Sequence, residues 1–170
     1  MMEPLPNDPI TSIQRAVDIV IENRCFGAAV ILLFAGIDAM GNLNRPESRN
    51  FSTAEDFKEW VRRYFHVEGE TAVTPEEWWA ARNAIIHTFG TYSRAHQTQG
   101  VRALAWMVGS RPYVRYNPQV KPGLVLVDIL GMREALFGGM ERFVAEYSAD
   151  AARRPIMEGR IRQMVMTYPV

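Results

Sequence analysis

The sequence predicts a mainly α-helical domain with a small β element appended, and three observations lead there. Apolar residues recur at helical spacing over residues 10–24, 54–65, 75–89 and 128–147. Residues 26–41 are apolar almost all round, as in a helix buried at the centre of a bundle. Strand-like alternation is confined to residues 101–127. The expectation is a bundle of four to six helices. Residues 1–9 read as a disordered, proline-containing lead and 10–170 as one domain with a β-hairpin insertion.

Thr11 or Ser12 is expected to cap the first helix, where Ile13, Val17, Val20 and Ile21 share a face. Asn23 and Gly27 break or bend the chain before the second helix, and Gly41-Asn42 is expected to close it. After a polar loop, Ser52 or Thr53 followed by Glu55-Asp56 marks the next start. Phe57, Trp60, Val61 and Tyr64 then line one side of a helix. Thr74-Pro75-Glu76-Glu77 is the plainest start signal in the chain: a capping hydroxyl, a proline in the first turn, and two acids facing the positive helix end. Val101–Val108 and Pro112–Tyr116 flank Gly109-Ser110 and read as a hairpin, with Leu124–Val127 as a short third strand. Leu130, Ala135, Leu136, Met140, Phe143 and Val144 return to helical spacing. Gly138-Gly139 within that helix admits a kink or the close approach of another helix. Residues 154–166 are expected to form a last basic amphipathic helix.

A chain of 170 residues can build one domain with a real core. Its formal net charge is zero, so no global field draws it to nucleic acid or acidic lipid. The basic residues are 17 Arg against only Lys58 and Lys121. That bias fits either bidentate phosphate contacts or arginine-rich codon usage, and the scattered, acid-matched arginines favour the second. The single cysteine, Cys25, precludes an internal disulfide, fits a reducing cytosol, and is expected to be a small core residue. The longest apolar run, between Arg24 and Asp38, is too short to span a bilayer, so a cytoplasmic protein without a membrane anchor is expected. One cysteine and the scattered His66, His87 and His96 do not make a metal site. No P-loop, GxGxxG or serine elbow occurs, and no cofactor is expected.

Chemistry concentrates in Arg82-Asn83-Ala84-Ile85-Ile86-His87, late in the fourth helix. A guanidinium grips phosphate with a planar fork, and an imidazole can take and give a proton near neutral pH. At about 100° per residue, Arg82 and His87 stand about 140° apart around the helix. Asn83 and His87 share a stripe, and Trp79 and Ile86 fall within the same sector. From spacing alone, an Arg and a His on a solvated face are the simpler reading. Asp38, ending the apolar helix, is either a buried partner for Arg82 or a residue facing water. Arg111, Tyr113, Arg115 and Tyr116 alternate cation and aromatic. They suit a single-stranded RNA clamp, though an exposed strand explains them more simply.

Arg82-Asn83-x-x-x-His87 resembles the signature of the HEPN superfamily: an arginine, a polar neighbour, then a histidine after four to six intervening residues. The stretch GAAVILLFAGIDAMGNL resembles the long apolar helix, ending near an acidic residue, of uncharacterised bacterial members. The likeness covers roughly residues 10–90 and 124–147, leaving the hairpin and last helix as additions. It implies a HEPN-like bundle and a homodimer that brings two motifs together; Gly138-Gly139 and the apolar residues around the motif also suggest surplus buried surface, and a two-fold homodimer with residues 82–94 near the axis is expected. The resemblance also implies metal-independent RNA cleavage of a toxin or phage-defence type, with a protein partner such as an antitoxin. Residue by residue, Arg82 and His87 would be the catalytic pair and Asn83 the adjacent polar group, with Asp38, Tyr92 and Arg94 supporting. Other members are non-catalytic modules, so a dimer that only binds nucleotide, RNA or protein is the alternative.

Overall fold

A computed structural model describes residues 8–91 and 100–164. In chain order these form α1 (Pro9–Glu22), α2 (Phe26–Asn44), α3 (Ala54–Tyr64), α4 (Pro75–Thr88), β1 (Ala103–Met107), β2 (Val114–Arg115), β3 (Leu124–Asp128), α5 (Ile129–Ala149) and α6 (Arg154–Arg162). The mainly helical class is as expected.

Helix α2 is the axis of the bundle. Leu33, Phe34, Ile37, Met40 and Leu43 are fully buried, and α1, α3, α4, α5 and α6 all touch it. Glycines let neighbours come close. A Cβ at Gly36 would lie 2.9 Å from a Leu136 methyl of α5. One at Gly41 would lie 3.1 Å from the Asp56 carbonyl of α3. Gly41-Asn42 therefore does not end α2, which continues to Asn44; Gly41 is a contact point inside it. A glycine followed by a small polar residue looks the same in sequence whether it stops a helix or admits a neighbour.

The local start signals hold at α3 and α4. The Asp56 carboxylate accepts from the Thr53 amide at 2.8 Å. At α4 the Thr74 hydroxyl accepts from the Glu77 amide while the Glu77 carboxylate accepts from the Thr74 amide. At α1 the cap is Asp8, whose carboxylate accepts from Ile10 and Thr11, so neither Thr11 nor Ser12 caps it. Asp8 and Pro9 thus belong to the helix start rather than to a lead. Cys25 is exposed at the N-cap of α2, not in the core. The chain turns there through Arg24 with φ +58°, which carries Cys25 outward.

The β segment differs from the expected hairpin. β3 lies between the other two strands, parallel to β1 and antiparallel to β2. The reason lies at buried Asp128, which ends β3 and caps α5 by accepting from Leu130 at 2.8 Å. Its other oxygen accepts from the Ser110 amide at 2.7 Å, and the Asp128 amide donates to Tyr113. The 109–113 return is thereby tied to the end of β3, and β2 lands on its far side. Val125 and Val127 point into the core while Leu126 is exposed. β2 is in turn covered by residues 68–70, where Glu70 donates to the Val114 carbonyl. Gly69 is required at that crossing, since a Cβ would fall 2.4 Å from Val114.

One hydrophobic cluster joins all six helices to Leu104, Val114, Val125 and Val127 of the sheet. Gly138 and Gly139 sit in α5 with opposite surroundings. A Cβ at Gly139 would meet the Tyr64 carbonyl at 2.7 Å, whereas at Gly138 only the far end of Arg142 comes within 4 Å. The close approach expected of this pair is thus made by α3 of the same chain. Gly138→Ala should raise the melting temperature, because alanine is favoured over glycine in a helix by about 0.5–1 kcal/mol. Gly139→Ala should lower it, because overpacking costs about 1–3 kcal/mol. Thermal unfolding followed by circular dichroism checks both signs.

Candidate functional site

The Arg-Asn-x-x-x-His segment occupies the last two turns of α4, and α4 lies antiparallel to α2. Two contacts set that alignment. Near the middle of the seam, Arg82 donates from Nε and Nη2 to Asp38 Oδ2, at 2.9 and 2.7 Å. At its end, Phe89 lies against Gly27, where a Cβ would stand 2.7 Å from the ring. Phe89 is the C-cap of α4 in the left-handed conformation, φ +53°, a position that usually falls to glycine. Its amide donates to Ile85, and the residue is 64% exposed.

Arg82 is held on three sides. Besides Asp38, its Nη1 donates to Asn83 Oδ1 at 3.1 Å. Its guanidinium also stands 5.2 Å from the Trp79 ring centre. Trp79 is braced in turn by Phe57 of α3, edge to face at 5.2 Å. Of the two readings of Asp38, the structure selects the partner of Arg82. Burial raises the Asp38 carboxyl above its ordinary range, and the Arg82 hydrogen bonds and charge only partly offset that.

His87 is exposed in the last turn of α4 and forms no side-chain hydrogen bond with Arg82 or Asn83. The solvent-facing sector of α4 runs from Arg82, past Ile86, Trp79 and Asn83, to His87. The arginine and histidine therefore stand at opposite borders of one exposed sector. Beside it α2 leaves an uncovered stripe, with Ala28 and Ala35 exposed and Ile31 and Asp38 half-buried. Tyr92, Arg94 and His96 lie outside the described residues.

The other candidates are used within the fold. Glu77 is buried and receives Arg102 through both oxygens, as well as capping Thr74. Arg111 stacks on Tyr113, whose hydroxyl donates to Glu134, and Arg102 stacks on Tyr116. His66 is exposed. Among the described residues no three His, Cys, Asp or Glu side chains cluster as metal ligands. Among them, too, α2 is the one helix with the length and composition to cross a membrane, and half of it is packed inside the bundle. The stacking of Arg82 on Trp79 and the role of Phe89 went unseen in the sequence. Trp79 was legible as a wall residue at i−3 from Arg82, whereas nothing local marks Phe89 as a left-handed cap. No family model matches the chain, and neither a curated protein nor a solved structure matches it.

A carbon-detected titration of the Asp38 carboxyl should place its midpoint above the ordinary Asp value of about 3.9. The folded state then binds this proton more tightly than the unfolded chain. Stability gains from this one group as pH falls through the midpoint and loses as pH rises through it. A midpoint below that of free Asp would show that attraction to Arg82 outweighs burial.

Proposed function

We propose that this chain is a metal-independent endoribonuclease that works as a two-fold homodimer. The observation that carries the reading is the exposed sector of α4. Arg82 is fixed there by Asp38, Asn83 and Trp79, and His87 stands free at the other border. Among the described residues three of the five guanidinium N–H groups are occupied, leaving one on each terminal nitrogen for a phosphate oxygen. Pre-placed cations suit a reaction in which negative charge builds on phosphorus, since nothing need reorganise at the moment of reaction.

The chemistry runs as an in-line attack. His87 takes the proton from a ribose 2′-hydroxyl, and that oxygen attacks the adjacent phosphorus. Arg82 stabilises the charge on the equatorial oxygens. The P–O5′ bond breaks, and a protonated imidazole delivers a proton to the leaving oxygen. One histidine cannot serve as base and acid in the same passage, so His87 of a second copy supplies the acid. The uncovered α2 stripe of Ala28, Ile31 and Ala35, together with exposed Ile86 and Phe89, offers an apolar face for that copy. RNA-targeting toxin or phage-defence activity, restrained by a protein partner, is the setting that the HEPN resemblance suggests.

One observation favours a non-catalytic dimeric binding module instead. The Arg82–Asp38 pair spans 44 residues of sequence and would tie α4 to α2 whether or not any chemistry followed. Purified protein in EDTA decides between the two. It should cut single-stranded RNA to products ending in a 2′,3′-cyclic phosphate or 3′-phosphate, and leave DNA intact. His87→Ala should lower the rate roughly 10²–10⁴-fold, and Arg82→Ala roughly 10²–10³-fold, with His87→Ala unfolding at the wild-type temperature. Wild type that never cuts RNA, with an Arg82→Ala variant that unfolds, would make the pair structural.

A further inference from the structure

One turn beyond Asp38, at the C-terminal end of α2, lies a cavity of about 480 Å³ between α2, the loop before α3 and α6. Asn42, Arg45, Phe51, Ser52, Arg160 and Gln163 are among the residues lining it, and among the described residues no carboxylate does. Arg45 and Arg160 stand together at the C-terminal end of α2. Arg45 donates Nε to the Arg49 carbonyl and Nη1 to Asn42, main chain and side chain. Arg160 donates Nη1 to the carbonyls of Leu43 and Arg45 and Nη2 to that of Pro46. These bonds satisfy the last carbonyls of α2 and suit the negative helix end.

Capping does not use up either group. Each guanidinium keeps two N–H groups without a partner among the described residues, and neither forms an ion pair there. Their cost is visible in Arg160, whose pKa is lowered by burial and by the nearness of Arg45, with Tyr147, Glu47 and Asp56 offsetting only in part. Asp56 is itself engaged by Arg49 at 2.6 Å. An anion between the two forks would relieve that repulsion and take up the spare donors. On the rim Phe51 is 83% exposed, the most exposed large apolar side chain among the described residues. An aromatic face in water beside paired cations is the arrangement that receives a stacked base and its phosphate.

Position connects this cavity to the seam. Asn42 follows Asp38 by four residues on one stripe of α2, about 6 Å along the axis. His87 and Phe89 lie the other way, towards Gly27. We propose that the Arg45–Arg160–Phe51 cavity is a nucleotide subsite that holds the phosphate and base of a single-stranded RNA residue flanking the one at Arg82 and His87. This rests on the ribonuclease reading for its direction along the strand. The recognition chemistry, a phosphate on two guanidiniums and a base on Phe51, stands on its own residues.

The test uses the full-length protein and a fluorescein-labelled oligouridylate with 2′-O-methyl riboses, which binds without being cut. Fluorescence anisotropy measures affinity across a salt series. Phe51→Ala, exposed and therefore safe for folding, should weaken binding roughly 5- to 100-fold. Arg45→Gln should weaken it and reduce the slope of log affinity against log salt by about one. Uridine monophosphate as competitor separates a free nucleotide from a strand. Weak competition against a tightly bound oligomer supports a strand subsite, whereas equal affinity for both overturns it. Wild-type binding by both variants, with unchanged melting temperatures, also overturns it. If wild type cuts RNA while Phe51→Ala and Arg45→Gln bind and cut as wild type does, the subsite alone is wrong. If no RNA is cut but both variants bind more weakly, the ribonuclease reading fails and the phosphate-and-base site remains.

Discussion

Covering helix α2 is the constraint on which the rest of the structure depends. Nineteen residues from Phe26 to Asn44 contain a single charged side chain, Asp38. Exposed alone, such a helix would leave its large side chains in water, each forgoing about 1.5–3 kcal/mol. The bundle meets that demand from several sides. α1 and α5 close on Gly36, and α3 lies against Gly41. α4 brings Trp78 edge to face with Phe34, and β1 brings Trp106 to the same ring. The small sheet is therefore part of the cover over α2.

The cover is incomplete on one side, and polar contacts collect there. Asp38 takes Arg82 across the seam, while Arg45 and Arg160 satisfy the carbonyls where α2 ends. These groups are half-buried, so their hydrogen bonds are strengthened by partial exclusion of water without the full desolvation cost of a buried ion pair. Elsewhere ion pairs lock helix to helix. Arg133 of α5 holds Asp18 of α1, and Glu146 of α5 receives both Arg63 and the Tyr64 hydroxyl of α3. Arg82 on the α2–α4 seam and Arg45 and Arg160 at the end of α2 keep N–H groups without a partner among the described residues, and the seam borders the open apolar stripe of Ala28, Ile31 and Ala35.

Much of this was legible in the sequence because the signals were local. Thr53 with Asp56 and Thr74 with Glu77 announce α3 and α4 through bonds made within three residues. The Arg82–His87 sector follows from helical spacing alone. What escaped depends on partners distant in the chain. Alternation over 101–127 identifies strands but cannot say that β3 comes between β1 and β2. That order follows from Asp128 binding Ser110 across 18 residues. Asp38 was undecided because its partner lies 44 residues away. Arg45 and Arg160 are separated by more than a hundred residues, and no spacing brings them together.

The mass of the protein in solution, by light scattering at micromolar concentration, is the most direct test of a seam completed by a second copy. The expected result is twice the 19.4 kDa chain mass. It should fall to the single-chain mass on Ala35→Arg, which places a charge on the uncovered stripe of α2 without touching the core. A wild-type mass of one chain would contradict it.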